Sequence, residues 1–145
     1  MLLCQAPLRG TDDWGSGAFG SSRGDRIHTG EDVVMAVGSL VMAPVSGKIT
    51  KLGFAYADDP TYRIVDITDS KNNRHRLFYV QPLDTIKVGQ HVAEGALVGE
   101  VQDVAERYNE LTIKGGHLTS KLMKNHVHYE IINGSGEYLD PKEFI

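Results

Sequence analysis

The stretch His126-Val127-His128-Tyr129-Glu130-Ile131-Ile132 decides the fold of this chain. Polar residues at 126, 128 and 130 alternate with apolar residues at 127, 129 and 131. Successive side chains of a strand point to opposite faces of a sheet, so this period predicts a strand with one apolar face and one polar face. Burying two imidazoles on one face is costly unless each finds a partner. The stretch therefore predicts a core strand that presents a shared polar site.

Further strand signals fill most of the remaining chain. They lie at residues 38–49, which contain a Pro-Val-Ser-Gly turn, and at 62–68, 76–80, 86–101 and 124–132. Only residues 103–109 favour a helix. We expect a mostly β fold, namely a compact antiparallel β-sheet or sandwich domain with a central groove, long loops and at most one or two short helices.

Length and composition predict one globular domain over residues 1–145. A hydrophobic fraction of 41% and a charged fraction of 23% argue against disorder. Residues 1–27 are rich in glycine, serine and aspartate, and we interpret them as an extended loop that walls a groove beside the β core at 28–145. A loosely ordered leader is the alternative interpretation.

Charge and cysteine content exclude several classes of function. A net charge of -4 gives no support to nucleic-acid binding. The single cysteine excludes an internal disulfide framework, and no apolar run has the length that a bilayer requires. We therefore expect neither a nucleic-acid partner nor a membrane partner; the oligomeric state is not determined by the sequence.

Residues 28–32 (HTGED) form the second informative motif, with an imidazole and a carboxylate four positions apart. Imidazole and carboxylate are common zinc ligands, and a catalytic zinc site uses three protein ligands and keeps one position for water. His28, Asp32 and one histidine of the later pair complete such a set, and the other histidine of that pair would lie beside the metal and move protons. The remaining histidines have no such neighbours and are interpreted as surface residues: His75, His91 and His117.

Four segments in order resemble the lysostaphin/LytM-type zinc endopeptidases, which cut peptide bonds in bacterial cell-wall peptidoglycan. The first runs from Phe19-Gly20 through Arg26 to the HTGED motif and resembles F-G…R-x-H-x-G-x-D. The second and third are residues 37–49, with APVSGKI, and residues 88–99, with VGQ…EG…G. The fourth is residues 125–130 (NHVHYE), which match H-x-H-x-E.

The resemblance implies one zinc ion per chain, held by His28, Asp32 and His128, with His126 as the catalytic histidine. Bound zinc lowers the pKa of water to about 7, so hydroxide is available near neutral pH. Glu130 shares the strand face of both histidines, and it is interpreted either as a carboxylate that fixes an imidazole or as an ordinary exposed glutamate. The expected substrate is a stem or cross-bridge peptide of peptidoglycan.

Gln81 is a departure from the family pattern. Active members usually carry a histidine in a Y-x-H-L segment near the scissile carbonyl, and here the corresponding stretch is Phe78-Tyr79-Val80-Gln81-Pro82-Leu83, with Gln81 at the place of the histidine. Glutamine donates a neutral hydrogen bond to an oxyanion, but it cannot take up a proton or carry a positive charge. Losing a group that does so costs about 10²–10³ in rate if nothing replaces it. The alternative function is a catalytically impaired zinc-binding module that binds the cell wall or a protein partner. The segment also resembles that of the leukocyte-derived chemotaxins, a signalling branch of this fold that keeps the zinc ligands and replaces the same histidine.

A biotinyl or lipoyl carrier domain is a further alternative. Residues 43–49 and 88–95 are similar to those carriers, but Lys71 has the wrong neighbours for a modified lysine, and both histidine motifs stay unexplained. The peptidase interpretation places the protein at the cell wall, in the periplasm or outside the cell. No signal peptide is visible, so we expect a phage-encoded enzyme or one delivered by another system.

Overall fold

The structure, a computed structural model, describes residues 11–12, 15–16, 20, 22–23, 26–27, 29–108, 110–114, 117–121 and 125–144. Side-chain environments are described for residues 29–107 and 125–144. The predicted groove segment, residues 1–27, lies mostly outside the described residues, and His28 lies outside them.

The strands are, in chain order, β1 (Thr11–Asp12), β2 (Gly15–Ser16), β3 (Ser22–Arg23), β4 (Arg26–Ile27), β5 (Gly30–Val34), β6 (Leu40–Met42), β7 (Gly47–Tyr56), β8 (Asp59–Thr68), β9 (Arg74–Phe78), β10 (Val80–Pro82), β11 (His91–Val92), β12 (Leu97–Val101), β13 (Glu110–Lys114), β14 (His117–Lys121), β15 (His126–Ile132) and β16 (Tyr138–Leu139). The described helical segments are α1 (Val104–Tyr108) and a 3-10 turn (Pro141–Glu143). The mostly β fold with short helices is confirmed.

The main element of the fold is one antiparallel sheet of seven strands. Its order is β11-β7-β8-β9-β15-β16, and β5 pairs with β15. β15 therefore has partners on both sides, with β9 along residues 128–132 and β5 along residues 126–130. This pairing joins a strand near the start of the chain to one near its end.

A second antiparallel sheet has the order β10-β12-β6. Apolar side chains from both sheets form one buried cluster, which includes Val33, Val41, Ile49, Val65, Ile67, Leu77, Val80, Val98, Val127, Tyr129 and Ile131. Burying each aliphatic side chain of this kind contributes about 1.5–3 kcal/mol. The core therefore ties the two sheets together.

The alternation of β15 decides what lies on each of its faces. Val127, Tyr129 and Ile131 are fully buried in the core, as the sequence predicts. His126, His128 and Glu130 point to the opposite face, and they too are buried. The polar face of β15 is thus enclosed, so its buried polar side chains require hydrogen-bonding or charged partners.

Two local features differ from the sequence prediction. The strand predicted at 76–80 is interrupted at Tyr79, where φ is 69°, so β9 ends before it and β10 starts after it. The hairpin of β13 and β14 was not predicted, because residues 110–121 show no clear period. Among the described residues, no helix is long and apolar enough to cross a membrane.

Candidate metal centre

Pairing of β5 with β15 brings Asp32 and His128 together. In the register of the sheet, His128 stands opposite Asp32 on one side and Phe78 on the other. Directly opposed residues of antiparallel strands point to the same face, so both side chains lie on the face away from the core. Two residues 96 positions apart in the chain thereby become neighbours.

His128 is held at both ring nitrogens. Its Nδ1 lies 2.8 Å from Oδ1 of Asp32, and its Nε2 lies 3.0 Å from Oε1 of Glu130. Nε2 of His126 lies 3.6 Å from the other carboxylate oxygen of Asp32. All four side chains belong to residues that are at most 9% exposed. We call Asp32, His126, His128 and Glu130 the Asp32–His128 cluster.

The Asp32–His128 cluster favours a positive charge at its centre. Burial opposes protonation of His128, but hydrogen bonds to Asp32 and Glu130 and the charges of those carboxylates outweigh it and raise the pKa of His128 to about 9. Burial acts to raise the pKa of Glu130, yet its contacts with His128, Arg76 and Thr29 hold that pKa below its usual value. Two carboxylates therefore enclose a site that accepts a cation.

Glu130 is fixed by groups other than His128. The Thr29 hydroxyl donates to its Oε1 at 3.1 Å, and Nη1 of Arg76 donates to its Oε2 at 3.3 Å. Nε of Arg76 donates to Oδ1 of Asp66, also at 3.3 Å. A chain of charged side chains thus runs across the sheet and keeps Glu130 directed at His128.

Gly30 permits the close approach of the two site strands. It stands opposite Glu130 in the register. A Cβ at this position would collide with the carbonyl oxygen of Tyr129 and lie 3.0 Å from Cβ of Glu130. The close contact with β15 therefore explains why the HTGED motif has a glycine at position 30.

The donor set fits a zinc ion at Asp32 and His128. A carboxylate oxygen and an imidazole nitrogen are ordinary zinc ligands. The contact of Glu130 with Nε2 of His128 orients the ring so that its Nδ1 is directed at Asp32. The two atoms that would hold the ion, Nδ1 of His128 and Oδ1 of Asp32, already lie 2.8 Å apart. The described residues contain no cluster of three or more such side chains able to hold a metal ion; the third predicted ligand, His28, is not among them.

Gln81 lies on β10, in the three-stranded sheet, opposite Glu100. Its side chain is exposed. Its expected role beside an oxyanion stays a prediction, as do the roles of His126, Glu130 and the three metal ligands.

Tyr79 contacts His126 and was not predicted from the sequence. The two rings meet edge to face with centroids 5.4 Å apart. The Tyr79 hydroxyl lies 3.2 Å from that of Tyr56, and the Tyr79 backbone bonds Arg63 and Gln102. A positive φ at a non-glycine residue is costly and is retained only where the surroundings enforce it. The signal that points to Tyr79 is an aromatic residue close to Gln81 in the Y-x-H-L-like segment.

His75 corrects one prediction. It was predicted to be a surface residue, but it is fully buried. Its Nδ1 lies 2.6 Å from the Tyr129 hydroxyl and its Nε2 lies 2.8 Å from Oδ2 of Asp69. Burial lowers the pKa of His75, although Asp69 acts in the opposite direction. His91 is exposed as predicted, and the side chain of His117 lies outside the described ones.

Comparison with solved structures finds the same fold in several peptidases. The catalytic domain of lysostaphin from Staphylococcus simulans, an antimicrobial peptidase, matches with a TM-score of 0.64 and 19% identity over 99% of this chain and 94% of that one. The lysostaphin solution structure matches with a TM-score of 0.61 and 20% identity over 92% of this chain, which spans only 46% of that longer one. A catalytic-domain mutant of EnpA, a prophage-encoded M23 protein of Enterococcus faecalis, matches with a TM-score of 0.60 and 21% identity over 88% and 87% of the two chains.

A search of curated proteins finds no match. The sequence profile of Peptidase family M23 matches residues 26–141, which is most of the chain. That span contains the HTGED motif, β15 and every described residue of the Asp32–His128 cluster. The resemblance noted in the sequence is therefore confirmed, and the chain belongs to peptidase family M23.

Proposed function

We propose that this protein is a zinc-dependent endopeptidase that hydrolyses peptide bonds in bacterial cell-wall peptidoglycan. The observation that carries the proposal is the contact of Asp32 with His128, with His126 3.6 Å from the same carboxylate, in a chain of the M23 family. A buried carboxylate between two imidazoles is a donor arrangement suited to a metal ion and a proton carrier together.

Asp32 and His128, with His28 as the third ligand, would hold one zinc ion per chain. When bound, the metal supplies Lewis-acid activation of the attacking water and of the scissile carbonyl. Glu130 accepts a hydrogen bond from Nε2–H of His128 and so fixes the tautomer that presents Nδ1. Arg76 and Thr29 in turn keep Glu130 in place.

We assign the movement of protons to His126, and two contacts support this role. Its Nε2 faces Oδ2 of Asp32, and its ring packs against Tyr79, so its orientation is restricted. A histidine at this place accepts a proton from water and returns it to the departing amine. The side chains around His126 limit solvent access, which strengthens electrostatic interactions with the oxyanion.

Membership of the M23 family and the fold shared with the antimicrobial peptidase lysostaphin support the proposed substrate class. We infer that the bond lies in a stem or cross-bridge peptide and that the protein acts at the cell wall. A phage origin, like that of EnpA, is part of this proposal; neighbouring genes for capsid, tail or lysis proteins would support it, and a bacterial cell-division locus would contradict it.

A second candidate function is a zinc-binding module of the same fold without catalysis, which binds the wall or a protein partner. Its support is Gln81, which replaces the expected histidine and is exposed on β10. Gln81→His separates the two functions, because activity gained in the variant from an inactive parent identifies the parent as a binder.

The test of the proposed function combines metal content with turnover on one sample. The number of zinc ions per chain is determined by elemental mass spectrometry. The same sample is then incubated with purified peptidoglycan, and the products are analysed for new amino termini. We expect one zinc and cleavage in the parent, and retained zinc without cleavage in His126→Ala. His91→Ala is the matched control, since His91 is exposed on an edge strand and should leave both quantities unchanged. Zinc without cleavage on several wall types would overturn the enzymatic proposal.

A further inference from the structure

A cavity of about 470 Å³ opens on the face of the seven-stranded sheet that carries the Asp32–His128 cluster. The register defines its position, because Arg76 stands opposite both Glu130 and Asp66, and the neighbouring row contains Ile132, Arg74 and Thr68. Residues of both rows line the cavity, among them Lys51, Asp66 and Arg74. We call it the Arg74 cavity.

The Arg74 cavity lies along β15 from the proposed metal ligand. Glu130 is two residues beyond His128, and Ile132, which lines the cavity, is four residues beyond it. At about 3.4 Å per residue of strand, the cavity lining on β15 therefore lies roughly 14 Å from His128. An extended peptide covers that distance in about four residues.

A β-bulge in β7 builds one wall of the cavity. The register passes from Ile49 opposite Ile67 to Lys51 opposite Asp66, which leaves Thr50 as an extra residue. Thr50 and Lys51 consequently both line the cavity, although neighbouring strand residues normally point to opposite faces. The Thr50 and Thr68 hydroxyls lie 2.9 Å apart and fix this wall.

The charges at the Arg74 cavity do not balance. Arg76 bridges Asp66 and Glu130, while Arg74 approaches Asp66 only loosely, with Nε 3.8 Å from Oδ2. That oxygen is buried and has no hydrogen-bond partner among the described groups. Among the residues that line the cavity, two cationic side chains, Lys51 and Arg74, accompany one carboxylate, Asp66, in a protein whose net charge is -4. One negatively charged group of a ligand would therefore balance the charge of the cavity lining.

Arg74 is the side chain best placed to receive that charge. It is 45% exposed, whereas Asp66 beneath it is fully buried, so a ligand meets the guanidinium first. A guanidinium binds a carboxylate through two parallel hydrogen bonds, and Lys51 adds a second positive charge. Burial raises the pKa of Asp66, against the effect of Arg76 and Arg74.

We propose that the Arg74 cavity is a subsite for a carboxylate of the peptide substrate, located about four residues from the scissile bond. Asp66 acts as a positioning residue that keeps Arg74 and Arg76 side by side. The proposal rests on the proposed function for the identity of the ligand as a wall peptide. It specifies in addition that peptides with a free acid at this place are preferred over their amides.

The experiment compares two synthetic stem peptides that differ in one group, a free D-isoglutamate carboxylate or its D-isoglutamine amide. Binding is measured by titration calorimetry on the full chain with one equivalent of zinc and the His126→Ala change, so that the peptides stay intact. We expect the acid to bind about tenfold more tightly than the amide, as for a charge-assisted pair. Arg74→Gln, which keeps length and removes charge, should abolish this preference, and Lys87→Gln, an exposed cation outside the cavity lining, should keep it.

The outcomes separate this proposal from the proposed function. Equal affinities for acid and amide, a preference for the amide, or no measurable binding of either peptide overturns the subsite. A preference that survives Arg74→Gln overturns it as well. If the acid is preferred and Arg74→Gln removes that preference, the subsite stands; absence of turnover by the parent protein on both peptides then overturns only the enzymatic proposal.

Discussion

Glu130→Gln tests how far the residues behind His128 determine metal affinity. The substitution keeps the volume of the side chain and one carbonyl oxygen but removes the charge. In the structure Glu130 is 4% exposed and accepts from His128 at 3.0 Å, from Thr29 at 3.1 Å and from Arg76 at 3.3 Å. The variant therefore weakens three hydrogen bonds, while Arg76 keeps its contact with the carboxylate of Asp66.

Two effects of different size are expected from this change. Removal of a partner behind a metal-ligating histidine typically weakens metal binding by about 10- to 100-fold, because the imidazole becomes less basic and less firmly oriented. The free energy of unfolding of the metal-free protein should fall by about 1–3 kcal/mol, the usual consequence of depriving a buried charged group of its partner.

Zinc affinity is measured by competition with a chromophoric chelator at constant pH, and unfolding by urea titration of the chelated protein. Glu137→Gln is the control, because it makes the same chemical change at an exposed position five residues after the end of β15. A zinc affinity for Glu130→Gln within about twofold of the parent would refute the reasoning, since the expected loss is at least about tenfold. An equal loss in Glu137→Gln would assign the effect to net charge alone.

Three further predictions concern the surroundings of the site. Gly30→Ala should reduce the free energy of unfolding by about 2–4 kcal/mol, because the new methyl group meets the Tyr129 carbonyl; urea titration measures this, and a neutral effect would mean that β5 shifts freely. Tyr79→Leu should keep zinc but lower the hydrolysis rate about 10- to 100-fold through misplacement of His126, which metal analysis and a peptidoglycan assay report; an unchanged rate would remove Tyr79 from the site. The lowered pKa of His75 means that the unfolded chain binds its proton first, so the contribution of this residue to stability is complete above the unfolded value of 6.5 and is lost as pH falls below it. In urea titrations over about pH 5–8, the difference in stability between the parent and His75→Asn should therefore shrink as pH falls below 6.5, and a difference independent of pH would contradict this assignment.

The alternation in His126–Ile132 made the strand and its two faces predictable, because side-chain direction along a strand depends on local geometry alone. The same local logic located the turn between β11 and β12 and the short helix α1. The HTGED motif and the H-x-H-x-E segment identified candidate site residues from residue type and spacing alone.

Tertiary structure decided which of these candidates meet and which groups surround them. Nothing in the sequence near Arg76 or Asp66 shows that they extend the contact of Glu130 across the sheet, and nothing near His75 shows that Tyr129 and Asp69 enclose it. The left-handed backbone of Tyr79 and the bulge at Thr50 were equally invisible, since both are enforced by neighbouring strands.

The sequence by itself thus determined the β architecture, the family and the chemical types available for a site. The contact between Asp32 and His128, the burial of His75 and the formation of the Arg74 cavity were decided only in three dimensions. The physical reason is that hydrophobic periodicity fixes the face of each residue within its own strand. The register between strands distant in sequence depends instead on how all apolar faces are buried at once.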